Sequence, residues 1–179
     1  KKADVQLEGP AATVAVAKNL LAPMGRMDGY SLPVSAFANM EDGQFPLGVS
    51  AYEKRGVAVT VPHWDETKCI QCNNCAYVCP HATIRPFALT EAEAAAAPAA
   101  AKIVPVKAGK GKGVYSYTMA VSPLDCMGCG VCVGVCPTKA ITMVPQEQEL
   151  AEQEVFNYMV SKVAQKPEME DNTVKGSQF

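Results

Sequence analysis

All eight cysteines of this 179-residue chain fall in two short stretches, 69–79 and 126–136, and their spacing is that of ligands. Each stretch reads C-x2-C-x2-C-x3-C-P. The first holds Cys69, Cys72, Cys75, Cys79 and Pro80; the second holds Cys126, Cys129, Cys132, Cys136 and Pro137. Every position recurs 57 residues later, and Ile84 and Ile141 keep the same offset. Three cysteines spaced by two form a loop whose sulfurs converge on one face of a cubane cluster, and in two-cluster proteins the fourth ligates the other cluster. The spacing therefore predicts two [4Fe–4S] clusters with crossed ligands. Cluster A takes Cys69, Cys72, Cys75 and Cys136; cluster B takes Cys126, Cys129, Cys132 and Cys79. Cys75 and Cys79 are four apart, ~6 Å of helix rise, so one short helix carries a ligand for each cluster. The cluster centres then fall on the order of 10 Å apart, within electron-transfer reach.

Two other uses of cysteine have to be weighed. A pair of zinc sites with four thiolates each also uses C-x2-C pairs, but needs neither the third cysteine at that spacing nor the trailing proline. A disulfide framework would force neighbours within one loop to pair under strain. Other features carry less. Gly128, Gly130 and Gly134 have the wrong spacing for a dinucleotide loop and suit backbone running close to a cluster and donating N–H bonds to sulfur. Lys107–Gly113 lacks the phosphate-loop pattern and reads as a mobile, solvated basic loop. His63 and His81 are the only histidines, and His81 follows Cys79-Pro80, near cluster B. Lys68 precedes the first ligand of cluster A where Asp125 precedes that of cluster B, which predicts a higher potential for A.

The elements that must position these ligands follow from pattern. Residues 1–60 form a Gly- and Pro-rich lead-in, expected as short strands and long turns packing on the cluster domain. Val57–Val61 alternates as a strand that Pro62 ends, and Val114–Val121 as a second strand with Tyr115 and Tyr117 on one face. Residues 61–146 make the cluster domain, with an insert at 88–113 that opens on an Ala-rich helix broken at Pro98. Residues 147–179 give a helix with Phe156, Met159, Val160 and Val163 at helical spacing, ended by Pro167, then a linker. Each unit reads strand, Cys loop, short helix, strand. The fold class expected is α+β, a ferredoxin-like domain of two pseudo-symmetric units with an extended N-terminal lead-in.

Composition bounds the rest. Hydrophobic residues make up 49% and charged residues 19%, which supports a core and argues against disorder. A net charge of −2 argues against nucleic-acid binding by bulk charge. No run of ~18 apolar residues suggests a membrane span, and no apolar segment follows Lys1-Lys2 as in a signal peptide. A cytoplasmic location is expected. The absence of an initiating Met and the unpunctuated end at Gln178-Phe179 read as a fragment of a longer polypeptide.

Several segments outside the cysteine motif resemble one family. Leu32–Phe37, Asp42–Pro46, Tyr52-Glu-Lys-Arg-Gly56 and Val61-Pro-His-Trp64 look like the lead-in to the ferredoxin-like domain of pyruvate:ferredoxin (flavodoxin) oxidoreductase. Cys69–Phe87 and Leu124–Cys132 are similar to its cluster loops, and Thr173–Phe179 to the join with the following thiamine-diphosphate domain. The resemblance is weakest at 1–20 and 88–113. It implies an anaerobic oxidoreductase of pyruvate metabolism that converts pyruvate and CoA to acetyl-CoA and CO2 and passes electrons to ferredoxin or flavodoxin. In the family, thiamine diphosphate, Mg2+ and a third [4Fe–4S] cluster belong to parts outside this segment. No residue here is given a role in decarboxylation. The alternatives are a free-standing two-cluster electron carrier and a structural metal module with no redox role.

Overall fold

The computed structural model describes residues 7–107, 109 and 111–169. The chain divides into two compact units, Lys1–Arg55 and Gly56–Phe179.

In the first unit, helix α1 (Ala11–Val16) runs through a π turn at Ala17–Leu21 into α2 (Ala22–Gly25). Thr13, Ala17 and Leu20 are its buried residues. Three 3-10 turns follow, at Gly29–Ser31, Val34–Phe37 and Val49–Tyr52. The Tyr52 hydroxyl donates to the Glu8 carbonyl at 2.8 Å. The sequence predicts short strands here, and among the described residues this unit has none. Residues 11–22 are mostly Ala, Leu and Val, and a three-residue alternation such as Ala15-Val16-Ala17 does not outweigh the strong helix preference of Ala and Leu.

The second unit contains β1 (Thr60–Trp64), α3 (Asn74–Tyr77), β2 (Ile84–Leu89), α4 (Glu91–Ala95), β3 (Val104–Pro105), β4 (Ser116–Val121), α5 (Val131–Gly134), β5 (Ile141–Pro145) and α6 (Glu152–Lys162). Helices and antiparallel strands together make an α+β, ferredoxin-like arrangement. β1 pairs with β5 in one sheet, and β2, β4 and β3 make the other in that order. The registers coincide: Trp64 faces Ile141 in one sheet, and Val121 faces Ile84, the same pair 57 residues along, in the other. Each sheet also sets a proline against a methionine, Pro62 on Met143 and Pro86 on Met119.

Pro62 therefore lies inside β1 and does not end it. The ladder bonds flanking it run from the Asp65 N–H to the Ala140 carbonyl and from the Gln146 N–H to the Val59 carbonyl. Bonded pairs alternate, so Pro62 falls at a position that needs no donor.

β4 is buried on both faces. Tyr117, Met119 and Val121 join Trp64, Ile84, Ile141, Cys75 and Cys132 in one core. Ala120 joins Leu89, Val155, Phe156 and Met159 in another, beneath α6. Val160 is half exposed and leaves the apolar stripe expected for it; fully buried Val155 supplies that face. The helix ends at Lys162, before Pro167, which opens a 3-10 turn to Met169.

The insert is well anchored. α4 opens with a capping box: Thr90 Oγ1 accepts from the Glu93 N–H, and Glu93 Oε2 accepts from the Thr90 N–H at 2.8 Å. Glu93 also accepts from the Ala164 N–H and from Lys166 Nζ. Burial opposes its ionisation, but those bonds hold its carboxyl down at about 2. The basic stretch 107–113 lies partly outside the described residues.

Candidate metal-cluster sites

Each cysteine loop bends through backbone of left-handed conformation. In the first, Gln71 and Asn73 have φ of 60° and 58°; in the second, Gly128 and Gly130 have 71° and 72°. Past the fourth cysteine, Ala82 and Lys139 repeat the feature at 49° and 53°. These turns aim amides at sulfur. The Gln71 N–H donates to Cys69 Sγ at 3.3 Å, and the Gly128 N–H to Cys126 Sγ at 3.3 Å. The Thr83 N–H donates to Cys79 Sγ at 3.3 Å, and the Ala140 N–H to Cys136 Sγ at 3.1 Å. Glycine donors at 128 match expectation. The donors four residues beyond each fourth cysteine do not appear in the motif, although the 57-residue repeat relates them.

Two cavities result. One, of ≈370 Å3, is lined by Cys126, Cys129, Cys132 and Cys79, with His81 on its wall. The other, of ≈310 Å3, is lined by Cys69, Cys72, Cys75 and Cys136, with Trp64 on its wall. α3 and α5 supply the third cysteine of each loop, Cys75 and Cys132, both buried.

Burial pushes the Cys75 thiol up to about 12 and the Cys132 thiol up to about 11, and neighbouring thiols add to both. The two fourth cysteines behave oppositely. Burial also opposes their ionisation, but Cys79 is brought down by the Thr83 hydroxyl and amide, and Cys136 by the Ala140 amide and the Thr138 hydroxyl. Thiolates are the metal-binding form, and amide and hydroxyl donors favour them.

These walls fit an iron–sulfur cluster. Four thiols surround each void, and backbone amides already point at sulfur, as cluster sites require. Zinc needs four sulfurs ~2.3 Å from one point. Among the described residues, no group of three or more His, Cys, Asp or Glu side chains converges to hold a single ion. Trp64 Nε1 is buried, and is the single buried side-chain nitrogen or oxygen among the described residues without a hydrogen-bond partner.

The insert closes over the first loop. Gln71 Nε2 donates to the Pro105 carbonyl at 2.9 Å, and Gln71 Oε1 accepts from the Lys107 N–H at 2.8 Å. Lys107 Nζ donates to the Cys69 carbonyl. Asn73 Oδ1 accepts from the buried Tyr117 hydroxyl at 2.7 Å. The second loop carries Gly at both matching positions, and its Cys129 is exposed. Gln71 and the Asn73 Oδ1 thus anchor the first loop. The expected contrast of Lys68 against Asp125 is also blunted, because Lys68 Nζ sits 2.7 Å from Asp65 Oδ2. That carboxylate offsets the cation, and the bonds from Lys68 and Thr67 hold Asp65 well below the usual range.

Similarity to known proteins runs along the whole chain. Residues 68–140 match the family model of the 4Fe-4S dicluster domain. Residues 4–58 match a model described as a domain of unknown function. The pyruvate-flavodoxin oxidoreductase of Enterobacter agglomerans is 47% identical over 181 residues, covering 100% of this chain and 15% of that protein. Its namesake from Klebsiella pneumoniae is 45% identical, covering 90% of this chain and 14% of that protein. The pyruvate:ferredoxin oxidoreductase of Moorella thermoacetica is 46% identical over 90% of this chain and 14% of that protein. The chain spans about one seventh of the length of these curated relatives.

Proposed function

We propose that this chain, which is similar over 90–100% of its length to segments of a pyruvate-flavodoxin and a pyruvate:ferredoxin oxidoreductase, is the electron conduit of such an enzyme. Its 4Fe-4S dicluster domain holds two [4Fe–4S] clusters, which supply outer-sphere, one-electron chemistry. The protein holds them, excludes water and sets their charge environment. The observation that carries the reading is the composition of the two cavities: each is walled by the first three cysteines of one loop and the fourth of the other. That supports crossed ligation, with Cys69, Cys72, Cys75 and Cys136 on cluster A and Cys126, Cys129, Cys132 and Cys79 on cluster B. The matching left-handed backbone, sulfur-directed amides and strand registers at a 57-residue offset support two pseudo-symmetric units.

Electrons released from pyruvate oxidation elsewhere in the enzyme, where thiamine diphosphate, Mg2+ and a third cluster would act, pass through A and B to ferredoxin or flavodoxin. No helix among the described residues is long and apolar enough to cross a membrane. The test is composition of the anaerobically purified chain: ~8 Fe and ~8 sulfide, with a broad visible absorbance bleached by dithionite. Stoichiometric zinc without sulfide would sink the proposal.

A further inference from the structure

We propose that the indole N–H of Trp64 is a hydrogen-bond donor to cluster A, and that this bond sets the potential of A above that of B. The inference rests on the two-cluster reading above. Trp64 ends β1 and is 3% exposed, so its N–H is out of reach of water. Buried indole donors almost always find an acceptor, and Nε1 has none in the protein. The same side chain walls the cavity of Cys69, Cys72, Cys75 and Cys136. Thiolate and sulfide sulfurs there are acceptors that carry no hydrogens of their own.

The ring is held in place on two sides. Tyr117 packs edge-on against it with ring centroids 6.0 Å apart, and Lys102 of the insert donates to the Trp64 carbonyl at 2.8 Å. The matching residue in the other unit, 57 positions on, is Val121, equally buried and without a donor. One hydrogen bond is therefore present at A and missing at B. Adding one electron makes the cluster sulfurs more negative and strengthens an N–H···S bond; no proton moves, and the reduced form of A is favoured.

Trp64 is the single tryptophan of the chain, so labelled tryptophan reports on it alone. The full chain is prepared with indole-15N tryptophan, its iron and sulfide are counted, and the half-reduced sample is measured by ENDOR. The A and B signals are assigned by a Cys129→Ser ligand exchange, which perturbs B. A 15N coupling at A and none at B is expected. In an EPR-monitored titration, Trp64→Phe should shift the reduced-to-oxidised equilibrium of A about tenfold toward the oxidised form, ~59 mV, and leave B in place. A chain with ~8 Fe but no 15N coupling at A, or a Trp64→Phe shift shared equally by both clusters, overturns the hydrogen bond and leaves the two-cluster reading standing. A chain that takes up no iron and sulfide overturns both.

Discussion

Gln71 and Asn73 stand in the first cysteine unit where Gly128 and Gly130 stand in the second, and all four hold left-handed backbone. Glycine adopts that conformation freely, whereas an L side chain costs roughly 1–2 kcal/mol there, less for Asn. In the first unit that cost is offset by side-chain bonds: Gln71 ties the loop to the insert at Pro105 and Lys107, and Asn73 ties it to Tyr117 on β4. The second unit has no such ties at these positions, and Cys129 reaches solvent. The comparison teaches that a repeated ligand frame can present one covered face and one open face, with two residues making the difference.

The largest break of the comparison comes from the ligands. Cys79→Ala belongs by sequence to the first unit, yet crossed ligation predicts loss of cluster B, ~4 of ~8 Fe, with A retained. Iron analysis and EPR decide it; loss confined to A would reverse the assignment. A smaller effect separates the two glycines. A Cβ on Gly128 would stand 3.1 Å from the Thr60 carbonyl at φ +71°, and one on Gly130 would meet nothing within 4 Å. Gly128→Ala should therefore lower stability by about 2–4 kcal/mol, and Gly130→Ala by about 1–2, in thermal unfolding of the holo chain. Equal losses would show that close approach to β1 is immaterial. Gln71→Gly gives the first unit the residue of the second. It relieves about 1 kcal/mol of strain and loses two hydrogen bonds of about 0.5–1.5 kcal/mol each, for a net loss of about 1 kcal/mol. The checkable sign is faster amide exchange at Lys107.

The smallest effect compares the backs of the two sheets. Behind β4, Ala120 lies in an apolar core, while His63, its counterpart on β1, bonds Glu149 at 2.7 Å and lies 3.4 Å from Lys102. Burial and Glu149 push the neighbouring Glu152 carboxyl up from 4.5 to about 7, against Lys102 and His63. Between those values the folded chain holds more protons than the unfolded one, so this group lowers stability as pH rises through the window. Glu152→Gln should flatten that slope, seen as a smaller change of unfolding midpoint between pH 5 and pH 8.

The cysteine spacing, the 57-residue repeat and the strands flanking each cysteine loop are legible in the sequence because metal-ligand spacing and strand alternation are local signals. The anchoring of Gln71 is not, since Pro105 and Lys107 lie more than thirty residues away and an Ala-rich insert carries no pattern that says where it folds back. The helix at 11–25 does not stand out in the sequence because it lies in a lead-in otherwise rich in glycine and proline. Trp64 was within reach: laying the two units over one another sets it against Val121, an aromatic donor against an aliphatic chain. What the sequence could not supply was its burial, and hence the need for an acceptor.

Each sheet draws one strand from each half of the repeat, β1 with β5 and β2 with β4, and each cavity draws cysteines from both halves. Neither half lines a complete cavity by itself, and the β1–β5 ladder joins residues about eighty positions apart. Such long-range pairing gives a high contact order and slow folding, because loop closure must precede most of the stabilising contacts. The halves are joined through residues 88–113, whose described part is anchored by α4, β3 and buried Val106. A proteolytic nick there would leave two fragments that regain both sites together, by complementation, or neither.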